Sequence, residues 1–424
     1  MLPKDVVFWH IAKKPSPKKL SKNITADVVI IGGGMTGLSA AQTFLKKGYR
    51  VILLEREFCG TGATGKSSGF ITPDSELGLG ELIVKFGPEQ AKKLWDFANC
   101  GVSLIRQNIQ RHKIVCDFIE QDALFVANNP KAVNSINSEY EARHRFRYGV
   151  KKYDKGQITG ILGTNVYVAG VRYKDTFVIN PYLYAQAMKD VLIREGAEVY
   201  EGSPATDIQG YVVRVAGGYT VTAQYILVCT DRNIPELYQR DCDVYHAQTY
   251  LLVSRPLGKD LKRVFPEKQM MVWDSDLNYK YFRPIGGSRM LMGGGNIITL
   301  YSSKLKHNYS SMFRTLSHYF SKRFSVPIKW EYMWPGMLGV SKDFLPVIEQ
   351  DSSIQHLYCL GAGAGLPWSA GMGMYIFDKI MHGRNDLDQY ICSTRKYPPP
   401  AMLQPLLGKK LCFALSHGYE KFIG

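Results

Sequence analysis

"ADVVIIGGGMTGLSAAQTFLKKGYRVILLER", residues 26–56, decides how the rest of the chain is read. Residues 27–31 form a short apolar run of the kind found in buried strands. A glycine turn follows, with Gly32, Gly34 and Gly37 in G-x-G-x-x-G spacing. A helical pattern then runs through Leu38, Ala41 and Leu45 and stops near Gly48. A second apolar run, 51–54, ends at Glu55, 18 residues after Gly37. Strand, turn, helix, strand and acid in that order describe a βαβ unit for a dinucleotide. The first glycine allows the tight turn, the second lets the backbone approach a pyrophosphate, and the third lets helix and strand pack closely. The helix N-terminus offers free N–H groups to phosphate, and the acid stands near the ~20-residue spacing of one that binds a ribose hydroxyl.

The 424 residues suffice for a large core and predict two domains. No apolar run reaches the ~18 residues of a membrane span, and "MLPKDVVFWHIAKKPSPKK" at the start has no long apolar segment, so a cytoplasmic location is expected. The cysteines (59, 100, 116, 229, 242, 359, 392 and 412) are scattered without a C-x-x-C pair, which speaks against zinc and a disulfide framework. Net charge is +16, from 53 basic and 37 acidic residues. The lysines are dispersed, so a generally solvated surface explains this charge better than a nucleic-acid face.

A polar, proline-bearing segment, 13–22, leads into the first strand, and Leu82 to Gln110 reads as one helix. Short strand-like runs fall within 114–127 and 161–178. From Asn180, "NPYLYAQAMKDVLIREGAEVYEG" reads as a capped helix and a strand, and "YTVTAQYILVCT" as two further strands. "YKYFRPIGGSRMLMGGG" predicts a hairpin turning at Gly286-Gly287, and 301–325 a helix. "HLYCLGAGAGLPWSAGMGMYIFDKIMHG" is strand, glycine turn and helix, capped by Gly383. The expected fold class is α/β, α+β overall. A discontinuous Rossmann-like dinucleotide domain is assigned to 1–75, 180–235 and 335–424, and a second, β-rich domain to 76–179 and 236–334.

With these pieces in order, the chain resembles the FAD-dependent D-amino-acid oxidase/glycine oxidase (DAO) superfamily, most of all its γ-glutamylputrescine oxidoreductase-like amine oxidases. The βαβ unit carries the resemblance, as do "GTGATGKSSGFI" (60–71), the piece from Asn180 to "VCTDRN", "WPGMLGVSKDFLPVI" (334–348), the last glycine turn and helix, and the tail "YPPPAMLQPLLGKKLCFALSHGYEKFIG". Departures are Lys66, Ser67 and Ser68 where the loop usually has Arg, Asn and Gly, Asp231-Arg232 in place of Asn-Gly or Asn-Ala, and Ala364 in place of a frequent histidine.

The resemblance implies non-covalent FAD, because no cysteine or histidine occupies the linking positions. It implies hydride transfer from a substrate C–H to flavin N5, followed by hydrolysis of the product imine. Gly32, Gly33, Gly34, Met35, Thr36 and Gly37 would cradle the pyrophosphate. Glu55, with Arg56 beside it, would hold the adenosine ribose. Gly62, Ala63, Thr64, Lys66 and Ser67 would pass over phosphates and flavin, and Gly363, Gly365, Leu366 and Pro367 would start the helix that faces the flavin N1/C2 oxygen. Tyr281 aligns with a substrate-facing tyrosine. Leu338 stands where amino-acid-oxidising relatives have a carboxylate-binding arginine, so a small amine, or a substrate held by another cation such as Arg283, is expected. Leu291 replaces a lysine of the sarcosine-oxidase branch, leaving the electron acceptor open between oxygen and another species. Trp334 and Trp368 are expected to pack, and Cys59 to be a small buried side chain. Two alternatives remain: a tRNA-modifying oxidoreductase on the same fold, to which the net charge is compatible, and a flavoprotein with a binding role and low turnover.

Overall fold

The computed structural model describes residues 2–74, 76–174, 176–232, 237, 244–276, 279–294, 309–341, 343–391, 406 and 411. The C-terminal tail from 397 lies outside these, save positions 406 and 411. Five strands lie parallel in the order Glu198–Tyr200, Val51–Leu54, Ile24–Ile31, Thr220–Asp231 and Leu357–Gly361. The hairpin Ala205–Gln209/Val212–Val215 and the strand Val347–Gln350 extend this sheet antiparallel to eight strands.

Both faces of the parallel strands are covered, which is why their sequences are almost continuously apolar. Val28 and Ile30 point into a core shared with Leu38 and Phe44 of helix Met35–Lys46 and Ile376 of helix Leu366–His382. Val29 and Ile31 point the other way, against Ile52, Leu54 and Val213. The two helices meet backbone to backbone at Gly373, where a Cβ would lie 2.6 Å from the Ala40 nitrogen.

The second sheet has nine strands in the order Lys4–Asp5, Trp330–Val340, Tyr245–Ser254, Arg289–Gly294, Tyr281–Ile285, Met271–Asp274, Ala123–Ala127, Ala169–Tyr173 and Val150–Asp154. Phe282, Met290, Met292 and Met333 on one face bury against helix Tyr309–Arg323. Leu251, Ile285, Leu291 and Trp334 on the other face pack with Trp9 and Tyr182. Of the segments assigned to the dinucleotide domain, Lys4–Asp5 and Trp330–Val340 pair in this second sheet, the latter crossing position 335.

The expected hairpin is present, Tyr281–Ile285 paired with Arg289–Gly294, and Gly383 caps the last helix in the left-handed region (φ 67°). The helix expected over 301–325 runs from Tyr309 to Arg323, and 301–308 lies outside the described residues. Two expectations are corrected. "YTVTAQYILVCT" is one 12-residue strand. Its first part pairs with Val212–Val215, its middle with Ile24–Ile31 and its end with Leu357–Gly361, so changing neighbours imitate two strands. The helix expected over 82–110 is two, Leu79–Phe86 and Pro88–His112. Gly87 breaks it at φ 80°, and Pro88 starts the next helix, where its missing N–H costs nothing.

Candidate active site

The parallel strands end at Ile31, Leu54, Asp231 and Gly361, and the cavity begins there, at the carboxyl edge where α/β sheets bind ligands. It encloses about 1330 Å³ and reaches across to the nine-stranded sheet. That exceeds the roughly 300–1,000 Å³ of ordinary small-molecule sites, leaving room for a dinucleotide and a substrate.

Gly32, Gly34, Met35 and Thr36 line one end. Gly32 adopts φ 114°, and a Cβ there would lie 2.5 Å from the Cys229 carbonyl oxygen. Gly33 and Gly37 sit behind the turn: a Cβ on Gly33 would press on Cys59 Sγ at 2.7 Å, and one on Gly37 would run into the Gly32 carbonyl. Glu55 is buried at the same end; its carboxylate accepts from the Gly33 N–H at 2.7 Å and the Glu57 N–H at 2.9 Å. Burial raises its pKa and these bonds oppose the rise.

Gly62, Ala63, Thr64, Lys66 and Ser67 line the cavity beside this turn. Thr64 Oγ1 accepts the Met35 N–H at 2.9 Å, joining the second loop to the first helix. Three successive carbonyls of the loop are then held by donors from outside it. Trp334 Nε1 donates to the Lys66 carbonyl at 3.1 Å, Trp9 Nε1 to that of Ser67 at 2.9 Å, and Arg283 Nε to that of Ser68 at 2.9 Å. The Lys66 side chain faces the cavity, where burial lowers its pKa and the Arg232 and Arg56 charges lower it further.

The last helix brings Gly363, Gly365, Leu366 and Pro367 to the opposite wall. Its first N–H groups have no carbonyl one turn back, so its positive end faces the cavity. Added Cβ atoms at Gly62 and Gly365 would meet nothing within 4 Å, so each leaves space that a ligand can approach. Asp231 ties this wall together in the left-handed region (φ 64°). Its carboxylate accepts from Gly339 N at 2.8 Å and Gly363 N at 3.3 Å, and its carbonyl from Ala362 N at 2.9 Å. The Asp that replaces the family's Asn is therefore fully used, and a short polar side chain tolerates this φ best after glycine. Arg232, noted in the sequence only as a departure, also lines the cavity, and burial lowers its pKa.

At the far end the walls are aromatic. Tyr281 lies against Gly293, where a Cβ would collide with its ring. Its ring stands 5.8 Å from that of Tyr279 and 5.7 Å from that of Phe70, and Phe70 is 6.3 Å from Trp273. Burial raises the Tyr281 pKa, and its hydroxyl has no hydrogen-bond partner among the described residues. Leu338 and Met337 also line the cavity.

Sixteen of the nineteen site residues read from the sequence thus surround one cavity; Gly33, Gly37 and Arg283 lie behind its lining. Arg283 is buried and its guanidinium is spent on the carbonyls of Ser68, Ile179 at 3.0 Å and Pro284 at 3.5 Å, so a substrate-holding role finds no geometric support. Trp368 is buried, donates to the Pro73 carbonyl at 3.0 Å and does not reach the cavity. Leu291 is buried in the core with Trp9 and Trp334. The sequence reading missed Arg232, Glu76, Tyr279 and the donor role of Trp9. Only Trp9 carried a signal, an aromatic pair ahead of the first strand.

No helix among the described residues is long and apolar enough to cross a membrane, and no group of three or more metal-ligating side chains occurs among them. Residues 27–379 match the DAO family, described as FAD dependent oxidoreductase. The oxidoreductase OrdL of Haemophilus influenzae is 26% identical over 362 residues, 82% of this chain and 81% of that protein. Gamma-glutamylputrescine oxidoreductase of Escherichia coli is 31% identical over 287 residues, 65% of this chain and 66% of its own. Glycine oxidase from Geobacillus kaustophilus has the same fold, with a TM-score of 0.72 at 19% identity over 88% of this chain and 99% of its own. A glycine-built cradle between two helix N-termini fits the cofactor that this family takes, and the chain belongs to the FAD-dependent oxidoreductases of the DAO family.

Proposed function

We propose that the protein oxidises a C–N bond of a small amine, with the cofactor under the second loop and the substrate against the nine-stranded sheet. Bound FAD supplies a two-electron acceptor: the C–H beside nitrogen gives a hydride to flavin N5, and the resulting imine is split by water into a carbonyl compound and an amine or ammonia. The observation that carries this reading is the far end of the cavity. Aromatic rings line it, and Leu338 stands at the position where a substrate carboxylate would need a cation.

The chain's residues divide the work. With FAD bound, the Gly34 and Thr36 N–H groups at the start of the first helix and the Lys66 and Arg232 charges would hold the pyrophosphate, and Glu55 would accept from the adenosine ribose. The helix beginning at Leu366 would turn its positive end toward bound flavin and favour the negative charge gained on reduction. Tyr281 orients the reacting nitrogen. The reacting nitrogen must be the neutral amine, because only that form has a lone pair to support hydride loss.

Anaerobic bleaching of the bound flavin tests the reading. Polyamines, N-methyl amino acids, γ-glutamyl amines and D-amino acids are mixed with the yellow protein, and absorbance is followed. Bleaching by amines and not by D-amino acids is the expected result. A flavin that stays oxidised with every amine sinks the proposal.

A further inference from the structure

The chamber wall carries carboxylates as well as aromatic rings. Asp74, Glu76, Glu139, Asp274 and Asp276 all line the cavity. Four of them are already engaged. Arg143 donates to Asp74 and to Glu139, at 2.6 Å each, and the Gly80 N–H donates to Glu139 at 2.7 Å. Asp274 accepts from the Tyr319 hydroxyl at 2.5 Å and from the Asp276 and Lys280 N–H groups, and Asp276 pairs with Lys280 at 3.7 Å.

Glu76 differs. Its single hydrogen-bond partner among the described residues is the Tyr279 hydroxyl, at 3.4 Å from Oε1. No cation or backbone N–H reaches it among those residues, and burial raises its pKa. Tyr279, Tyr281, Phe70 and Trp273 line the same cavity, and the Tyr281 hydroxyl has no hydrogen-bond partner among the described residues. A half-buried carboxylate without a cation is poorly compensated, and aromatic faces attract cations and repel anions. An ammonium group entering the chamber satisfies both at once.

The reacting nitrogen cannot be that ammonium, since it must shed its proton before hydride leaves. We propose that Glu76 and the ring of Tyr279 form a subsite for a second, non-reacting ammonium, so that the substrates are diamines or polyamines in place of simple monoamines. This rests on the amine-oxidase reading and adds the requirement for a second charge.

The test compares putrescine with n-pentylamine, which has the same number of heavy atoms and a methyl where putrescine has its second nitrogen. Flavin-loaded wild type, Glu76→Gln and Tyr279→Phe are used, each at full flavin content. From the worth of a desolvated charge pair, wild type should bleach with putrescine about 30-fold more efficiently than with n-pentylamine. Glu76→Gln should bring this ratio to within about 3-fold, through the Kd of the diamine. Tyr279→Phe keeps the ring and should give an intermediate ratio. A ratio near one in wild type, or one unchanged by Glu76→Gln, overturns the subsite. If no amine bleaches the flavin, the oxidation reading fails and the subsite is read from the flavin absorbance change on titrating putrescine. A shift present in wild type and lost in Glu76→Gln sustains the subsite; no shift in wild type overturns it.

Discussion

The two ends of the cavity are built by different means. The cofactor end is made of backbone: Gly32, Gly34, Gly62, Gly363 and Gly365 remove side chains so that N–H groups and helix ends face the ligand. The far end is made of side chains, with Phe70, Glu76, Trp273, Tyr279, Tyr281 and Leu338 gathered from separate loops and strands. Backbone geometry tolerates little change, so the first end belongs to the family. Side chains can be exchanged one at a time, so the second end belongs to this protein and its substrate.

The largest test of this contrast is Gly37→Ala. The added Cβ would run into the Gly32 carbonyl, and neither backbone can yield without moving the turn. The expected cost is about 3 kcal/mol of stability, with flavin content falling to roughly a tenth or less, read from the ratio of visible to ultraviolet absorbance. Retention of full flavin would show that the turn has slack.

Arg283→Met probes the seam between the ends. It removes the donor to three carbonyls, two of them buried, so unfolding in urea should show a loss of about 3 kcal/mol. KM for an amine should change less than about 3-fold beyond what the loss of folded enzyme explains. A large rise in KM with unchanged stability would instead make Arg283 a substrate-holding residue.

The smallest expected effect is that of Lys66→Met, roughly 10-fold weaker FAD binding from one lost charge-assisted bond. Burial lowers the Lys66 pKa below its usual 10.5 in the protein alone, while a phosphate beside it favours the charged form. Binding then takes up a proton between the lowered value and the higher value of the bound state. FAD affinity should be level below that value and decline as pH rises through it towards 10.5; titration of the apoprotein with FAD across this range should show the decline in wild type and not in the variant.

Sequence spacing revealed the backbone-made end because Gly32, Gly34 and Gly37 must stand at fixed separations in a strand–turn–helix. Tyr281 was singled out by its alignment with a strand tyrosine of the family, and it lines the cavity. Arg283 was misread because alternation puts it on the same sheet face as Tyr281, while its length takes the guanidinium past the chamber to the Ser68 and Ile179 carbonyls. Glu76 and Arg232 had no signal. Both lie outside regular elements, between Phe70–Ile71 and Leu79–Phe86 and just after Thr220–Asp231, so no periodicity marks them.

The three donors on the second loop also govern time. Trp9, Trp334 and Arg283 hold the carbonyls of Ser67, Lys66 and Ser68 from the N-terminal segment and the nine-stranded sheet. Movement of that loop away from the cavity requires these bonds to open together. At roughly 1 kcal/mol each, they would slow any loop opening that flavin release requires by about 100-fold, a kinetic hold separate from the binding equilibrium.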